Sequence, residues 1–398
     1  MSDLNEKINS LTAEQRERLL KKAKEKIGLK NENQYLNDSP NSNMVEMDFS
    51  LIFFSGNGSN NDPNKYNLIL EAAKFADQNG FSAIITPERH LQPVGGLFPN
   101  PSVLSAALAM ITEKIQIRAG SVIIPLHNPI RVTEEWSLVD NLSKGRVAIS
   151  LATGWHPADY ILAPDLFEKR REIMFENVEL IQQLWKGESI SRIDISGNSV
   201  EILTLPRPIQ PELPMFLTTS GNPDTWKKAG EMGINVLCSL TNHTFESLEK
   251  NIQLYRQSRL DHGHNPLQGI VSTMVHTYVG ENNEEVKTKV KKPLHGFLND
   301  YINQNETLNP FKDKNKIVRD IIDNERETLL NYAFEKHFSQ TSLMGSKQKC
   351  AAMVEKLHNL GVNEVACLID FGLSQQDVLI GLNSLLELKN IFKKKSYR

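Results

Sequence analysis

The sequence predicts an α/β fold: a (β/α)8 TIM barrel with insertions, preceded by an N-terminal helical extension. Three observations predict it. Eight short apolar runs of strand type are each followed by a run of helical spacing, and alternating βα units imply a parallel sheet with right-handed crossovers. The first strand leads into Gly56-Asn57-Gly58-Ser59-Asn60 and then Pro63, with no third glycine. An open doubly-wound sheet would ordinarily carry a phosphate turn there. Small and polar residues gather at the predicted strand ends while strand interiors stay apolar, which is how a barrel builds a site.

The elements follow in order. Residues 1–44 stand apart: Ser10 and Thr12 precede the charged run 13–26, with Leu19, Leu20 and Ile27 on one side, and 31–43 is rich in Asn, Ser, Asp and Pro. That reads as a helix on a linker, either a solvated extension or a docking element. Residues 45–398 are assigned to the barrel. Its first strand is 47–55, and helix 63–79 places Leu68, Ala72, Phe75 and Ala76 at helical spacing before Gly80 stops it. Strand 82–87, helix 102–112, strand 115–124 and helix 129–141 form the next two units. Strand 146–153 is followed by helix 168–186, where Met174, Val178, Ile181 and Leu184 share a face. Then come strand 215–219, helix 223–232, strand 234–240, helix 244–262 and strand 269–279. Helix 347–360, strand 362–369 and helix 376–392 close the pattern. Two segments interrupt it. Residues 190–205, centred on Gly197-Asn198, predict a small hairpin. Residues 282–344 are long, charged and mostly helical, and sit where a barrel carries a lid.

Length alone, 398 residues, suggests two or three domains at about 150 residues each. The regular alternation replaces that with one enlarged barrel. A composition of 39% hydrophobic and 23% charged residues excludes a disordered or fibrous chain. With 45 basic against 48 acidic residues, the chain lacks the basic excess that nucleic-acid binding demands. Cys238, Cys350 and Cys367 make neither a disulfide framework nor a zinc spacing, which fits a reducing, cytoplasmic compartment. No apolar run is long enough to span a membrane, and the charged N-terminus lacks the apolar region of a secretory signal.

Chemistry is expected at the strand ends. The second strand ends in Glu88-Arg89-His90, the third runs into His127-Asn128-Pro129, and the fourth ends in Ala152-Thr153-Gly154-Trp155-His156. The fifth ends in Thr219-Ser220-Gly221-Asn222 just before Pro223 opens a helix. A helix N-terminus suits a phosphate, and Ser220 and Thr225 could add hydroxyls. The plainer reading is that Ser220 or Asn222 caps the helix. Glu88, His90 and His156 are candidate acids, bases or orienting groups, although a histidine at a loop start is commonly just surface. His262 and His264 have no third ligand at metal spacing. Cys238, in an apolar strand, reads as packing rather than nucleophile.

These segments together resemble the luciferase-like flavin-dependent monooxygenases, the family of bacterial luciferase and alkanesulfonate monooxygenase. The resemblance covers about residues 45–392. It rests on Ala83-Ile84-Ile85-Thr86-Pro87-Glu88-Arg89-His90, Pro129-Ile130-Arg131-Val132-Thr133-Glu134-Glu135, Leu142-Ser143-Lys144-Gly145-Arg146, Thr153-Gly154-Trp155-His156-Pro157, Arg170-Arg171-Glu172 and Thr219-Ser220-Gly221, in family order. Met274-Val275-His276-Thr277-Tyr278-Val279-Gly280, Ala366-Cys367-Leu368-Ile369-Asp370-Phe371-Gly372 and Leu11-Thr12-Ala13-Glu14-Gln15-Arg16 are similar to the branch that serves natural-product assembly lines.

The resemblance implies an FMN at the barrel mouth, with Ser121, Ala152, Thr153, Gly154, Arg170, Arg171, Thr219, Ser220 and Gly221 as cofactor-binding positions. Ser220, Gly221 and one of the two arginines would take the phosphate. Glu88, His90 and His156 would be catalytic. Reduced FMN would come from a separate flavin reductase and react with O2 to a C4a-hydroperoxide that oxidises the substrate. The narrower branch implies an aminoacyl, peptidyl or polyketide substrate on a carrier protein, and the family implies a homodimer. Arg89 stands where luciferase has a histidine, and Ala152 falls near its reactive cysteine, so luciferase's aldehyde chemistry is not carried over. Two other readings stay open: a deazaflavin (F420) hydride-transferring enzyme, and a non-catalytic flavin-binding partner of a biosynthetic complex.

Overall fold

The computed structural model describes residues 46–54, 62–307 and 326–392. The expected extension at 1–44, the loop at 56–60 and part of the 282–344 insertion lie outside the described residues. Eight parallel strands close into a barrel: β1 (Asp48–Ile52), β2 (Ala83–Thr86), β3 (Gln116–Ile123), β4 (Val147–Ala152), β7 (Met215–Thr219), β8 (Asn235–Ser239), β9 (Val271–Gly280) and β11 (Glu364–Leu368). Closure is made where Val236–Ser239 pair with Val271–Met274 and Glu364–Leu368 pair with Asp48–Ile52. The predicted barrel is therefore the observed one.

The helices wrap it in sequence order: α1 (Asn67–Gln78), α2 (Pro101–Ala109), α3 (Pro129–Ser143), α4 (Arg170–Lys186), α5 (Pro223–Glu231) and α6 (Phe245–Asp261). α7 (Asn283–Thr307) and α8 (Arg326–Gln340) belong to the insertion, and α9 (Lys347–Asn359) and α10 (Gln375–Ile391) end the chain's described part. Their ends follow local chemistry. At α3 the Asn128 side chain accepts from Ile130 N, Pro129 fills the first turn, and Lys144 turns left-handed at φ 61° to end it. The hairpin is β5 (Ile190–Ile193) with β6 (Ser199–Ile202), antiparallel, turning at Gly197 with φ +82°. One strand was not anticipated. β10 (Leu343–Ser346) pairs beside the overrun of β9, Thr277–Gly280. Four residues are too few to show a period of two.

Alternation decides which side chains enter the barrel. Ile52, Ala83, Ile85, Ala366 and Leu368 form one interior cluster with Phe54 and Met274, and Ala148, Phe216 and Leu237 form another. At the N-terminal end the interior is polar, with a buried ion pair at its centre. Arg118 donates to both oxygens of Glu364 (2.7 and 3.2 Å), and Ser272 and Ser82 donate to the same carboxylate. The guanidinium lies 3.9 Å from the centre of the Phe216 ring. Burial would raise the Glu364 pKa, but Arg118 and the two hydroxyls more than offset it and hold it below the ordinary value. This plug leaves the C-terminal end as the open one. Over that end, Phe297 of α7 packs against the Ile52–Ile85–Leu368 cluster. α7 and α8 share a small core of Val286, Val290, Leu294, Phe334 and Phe338 with Phe371.

Candidate active site

At the ends of β2 and β3, one carboxylate organises two histidines. Glu88 is 3% exposed. Its Oε1 accepts from His90 Nε2 at 2.8 Å and from His127 Nε2 at 2.6 Å, and its Oε2 accepts from Ile123 N at 2.6 Å. Burial by itself would raise its pKa. The hydrogen bonds from His127 and His90, the His127 charge and the Ile123 N–H outweigh that and hold it below the ordinary carboxylate value. For His127, burial disfavours the charged ring, and the Glu88 carboxylate overrides it and raises the pKa. With both Nε2 atoms committed to Glu88, each imidazole keeps Nδ1 for another partner. His127 was not singled out from sequence. It lies 39 residues from Glu88, and only its place at a strand end hinted at it.

Arg89 is also buried, with its guanidinium 4.8 Å from the Trp155 ring centre and 5.5 Å from that of Phe54. Burial lowers its pKa, partly countered by the Asp159 charge. Asp159 in turn accepts from His90 N at 3.2 Å. At the β4 exit, Gly154 adopts φ +70°, and a Cβ there would lie 2.8 Å from Ile123 Cγ2 and 2.9 Å from the Tyr160 ring. Tyr160 donates to Thr153 O at 2.5 Å. Ala152 and Thr153 are half-buried beside it. His156 is 4% exposed, and its Nδ1 accepts from Ala158 N to cap the turn Pro157–Leu162. It thus packs beneath the exit loop, edge-on to Trp155.

Ser121 stands where β3 slips register against β4, after a cis Gly120–Ser121 peptide. Its hydroxyl meets Thr218 Oγ1 of β7 at 2.6 Å, so Ser121 and β7 join at the mouth. At the end of β7, Asn222 caps α5 by accepting from Asp224 N, and Pro223 takes the first turn. Ser220 is not the cap and is exposed. Gly221 has φ +107° and donates its N–H to Thr219 Oγ1 at 3.3 Å. Arg171 reaches this spot from α4, donating to Thr225 Oγ1 at 3.1 Å. Arg170 does not: it stacks on Phe167 at 4.0 Å and donates to Phe167 O. The β7 exit Thr219-Ser220-Gly221 thus runs directly into the first turn of α5, where Arg171 meets Thr225, a cradle suited in charge and hydroxyl content to a phosphate. Cys238 is buried, 3.4 Å from Thr273 Oγ1, with its thiol pushed up to about 12 by burial. It is packing, not a nucleophile.

The family model for luciferase-like monooxygenase matches residues 47–364. A flavin-dependent trigonelline monooxygenase, oxygenase component, of Acinetobacter baylyi is 23% identical over 336 residues, 82% of this chain and 90% of that protein. Among solved structures, the oxygenating constituent of 3,6-diketocamphane monooxygenase from Pseudomonas putida, in complex with FMN, superposes with a TM-score of 0.67 at 16% identity. That match covers 86% of this chain and 96% of the other. An F420-dependent secondary alcohol dehydrogenase superposes with a TM-score of 0.64 at 15% identity, over 88% of this chain and all of the other. With the barrel, the mouth-facing acid–histidine cluster and a match across most of its length, the chain is an enzyme of the luciferase-like monooxygenase family.

Proposed function

We propose that the protein is an FMN-dependent monooxygenase of secondary metabolism, acting on an aminoacyl, peptidyl or polyketide group carried as a thioester. The observation that carries the FMN reading is the cradle of Arg171, Thr225, Ser220 and Gly221 at the same barrel end as the Glu88–His90–His127 cluster. Arg171, Ser220 and Gly221 would hold the phosphate, and Thr153, Gly154 and Ser121 would line the ring system. When bound, the reduced flavin supplies the reaction with O2 and the oxygen delivered to the substrate. The chain's own part is to bind, orient and dehydrate. Glu88 holds His90 and His127 so that either can carry or release a proton at Nδ1. Phe54, Phe297 and Trp155 supply apolar walls that exclude water. The insertion carrying α7 and α8 is read as the lid.

The chain would receive reduced flavin from a separate reductase, as the name of the trigonelline relative, an oxygenase component, supports. Val103 on α2, Met110 just past its end, and Leu138 and Leu142 on the adjoining α3 are exposed, which supports a homodimer paired through those helices. Anaerobic titration with photoreduced FMN, then O2 and a carrier-loaded substrate, tests the function. Tight FMNH2 binding and a product heavier by one oxygen are expected. Binding of reduced F420 in preference to FMNH2, with hydride transfer and no oxygen gained, would replace it with the deazaflavin reading that the dehydrogenase neighbour supports. Capture of carrier proteins with and without residues 1–44 tests the docking role of that segment.

A further inference from the structure

Two histidines far apart in the chain meet at the rim of the barrel. His276 ends the inward row Ser272, Met274, His276 of β9, and His337 comes from α8 in the insertion. His337 Nε2 lies 3.0 Å from His276 Nδ1, and His337 Nδ1 lies 2.8 Å from Thr341 Oγ1. The rings stand edge to face, 4.7 Å apart at 83°. Both residues are buried, and His276 Nε2 is buried with no hydrogen-bond partner. Phe297 and Phe371 flank the ring at 4.6 and 5.5 Å. Buried polar atoms are nearly always paired, so this one calls for an explanation.

The proton positions narrow it. One proton lies between the two rings. If His337 Nε2 donates to His276 Nδ1, the neutral His276 carries its own N–H on Nε2, and Thr341 donates to His337 Nδ1. In the reverse tautomer, Nε2 is a bare acceptor. In either case the open end of the chain is His276 Nε2. Burial pushes His337 down to about 4, and burial, with the nearby His337 ring disfavouring a second proton, pushes His276 well below the ordinary histidine value. The pair is neutral, so it suits an uncharged partner rather than a carboxylate or phosphate.

We propose that the first of these tautomers holds and that His276 is a ligand-binding residue whose Nε2–H donates to a carbonyl oxygen of the molecule bound in the barrel mouth, with His337 and Thr341 as positioning residues that fix its tautomer. The carbonyl has two sources, the pyrimidine edge of the flavin or the acyl group of the substrate. The proposal rests on the flavin reading of the mouth.

Long-range proton–nitrogen spectra of the full chain labelled in its histidine rings test it, with His276 assigned by its loss in His276→Phe. FMN is added first, then the butyryl thioester of N-acetylcysteamine. A His276 Nε2 shift on FMN supports the proposal with the flavin as source, and a shift only on the thioester supports it with the substrate as source. His276→Phe should weaken that same ligand roughly tenfold, the loss of one hydrogen bond, and His276→Gln should restore part of it. His337→Phe should scramble the His276 tautomer signal and weaken the same ligand. If wild type binds FMN yet His276 shifts with neither probe, and His276→Phe binds both as wild type does, the proposal is overturned while the flavin reading stands. If wild type fails to bind FMN at all, the flavin reading falls and this proposal with it.

Discussion

At the scale of single residues, the cradle and the histidine cluster make separable predictions. Ser220→Ala should weaken FMN binding by about 1–2 kcal/mol, the value of one charge-assisted hydrogen bond. Arg171→Met should weaken it more than Arg170→Met, because only Arg171 reaches Thr225. Equal effects in an equilibrium titration would contradict the assignment of the cradle. Glu88 and His127 also predict a pH signature. The Glu88 pKa is lowered in the folded state, so its contribution to stability is present above the unfolded value near 4.5 and fades as pH falls through the lower folded value. The His127 pKa is raised, so its contribution is whole below the unfolded value near 6.5 and is lost as pH rises through the folded one. Denaturant unfolding of wild type and His127→Asn should therefore differ most on the acid side of that window and converge above it. A difference that grows with rising pH would reverse the sign. The cluster was half legible in sequence: Glu88 and His90 are two residues apart on one strand end, but His127 joins them only through the parallel pairing of β2 and β3.

At the scale of elements, the polar plug is the sharpest case. Glu364 and Arg118 are 246 residues apart, and nothing in either strand's pattern marks them as partners. Glu364→Ala takes the carboxylate from a buried guanidinium and leaves it its hydrogen bonds to Gln116 and the Phe216 ring face, and should cost about 3–5 kcal/mol. Replacing the pair together, Arg118→Met with Glu364→Leu, should recover much of that loss. Urea unfolding measures both, and a Glu364→Ala loss below that of an ordinary surface change would remove the plug from the account. β10 and the insertion teach the same lesson. The helical character of 282–344 follows from local composition, whereas the docking of Phe297 onto the interior cluster and the meeting of His337 with His276 depend on where the insertion folds back.

At the scale of the whole molecule, the near-neutral charge of −3 is compatible with the proposed FMN site, where one arginine and a helix end, rather than a broad basic surface, would meet the phosphate. If α2 and α3 form the pairing face, Met110→Asp with Leu138→Asp should shift sedimentation from dimer to monomer while leaving the far-ultraviolet circular dichroism unchanged. A wild-type monomer at micromolar concentration would remove that face from consideration. The sequence by itself determined the barrel, the order of its units and the end at which the candidate site is placed, because hydrophobic period, caps and strand-end residues are all written within a few positions of one another. Only the tertiary structure decided that Arg171 rather than Arg170 meets Thr225, that His127 completes the Glu88 cluster, that His156 is a cap, and that His276 is aligned by His337. Those outcomes depend on contacts between residues tens to hundreds of positions apart, whose geometry is set by barrel closure and not by local spacing.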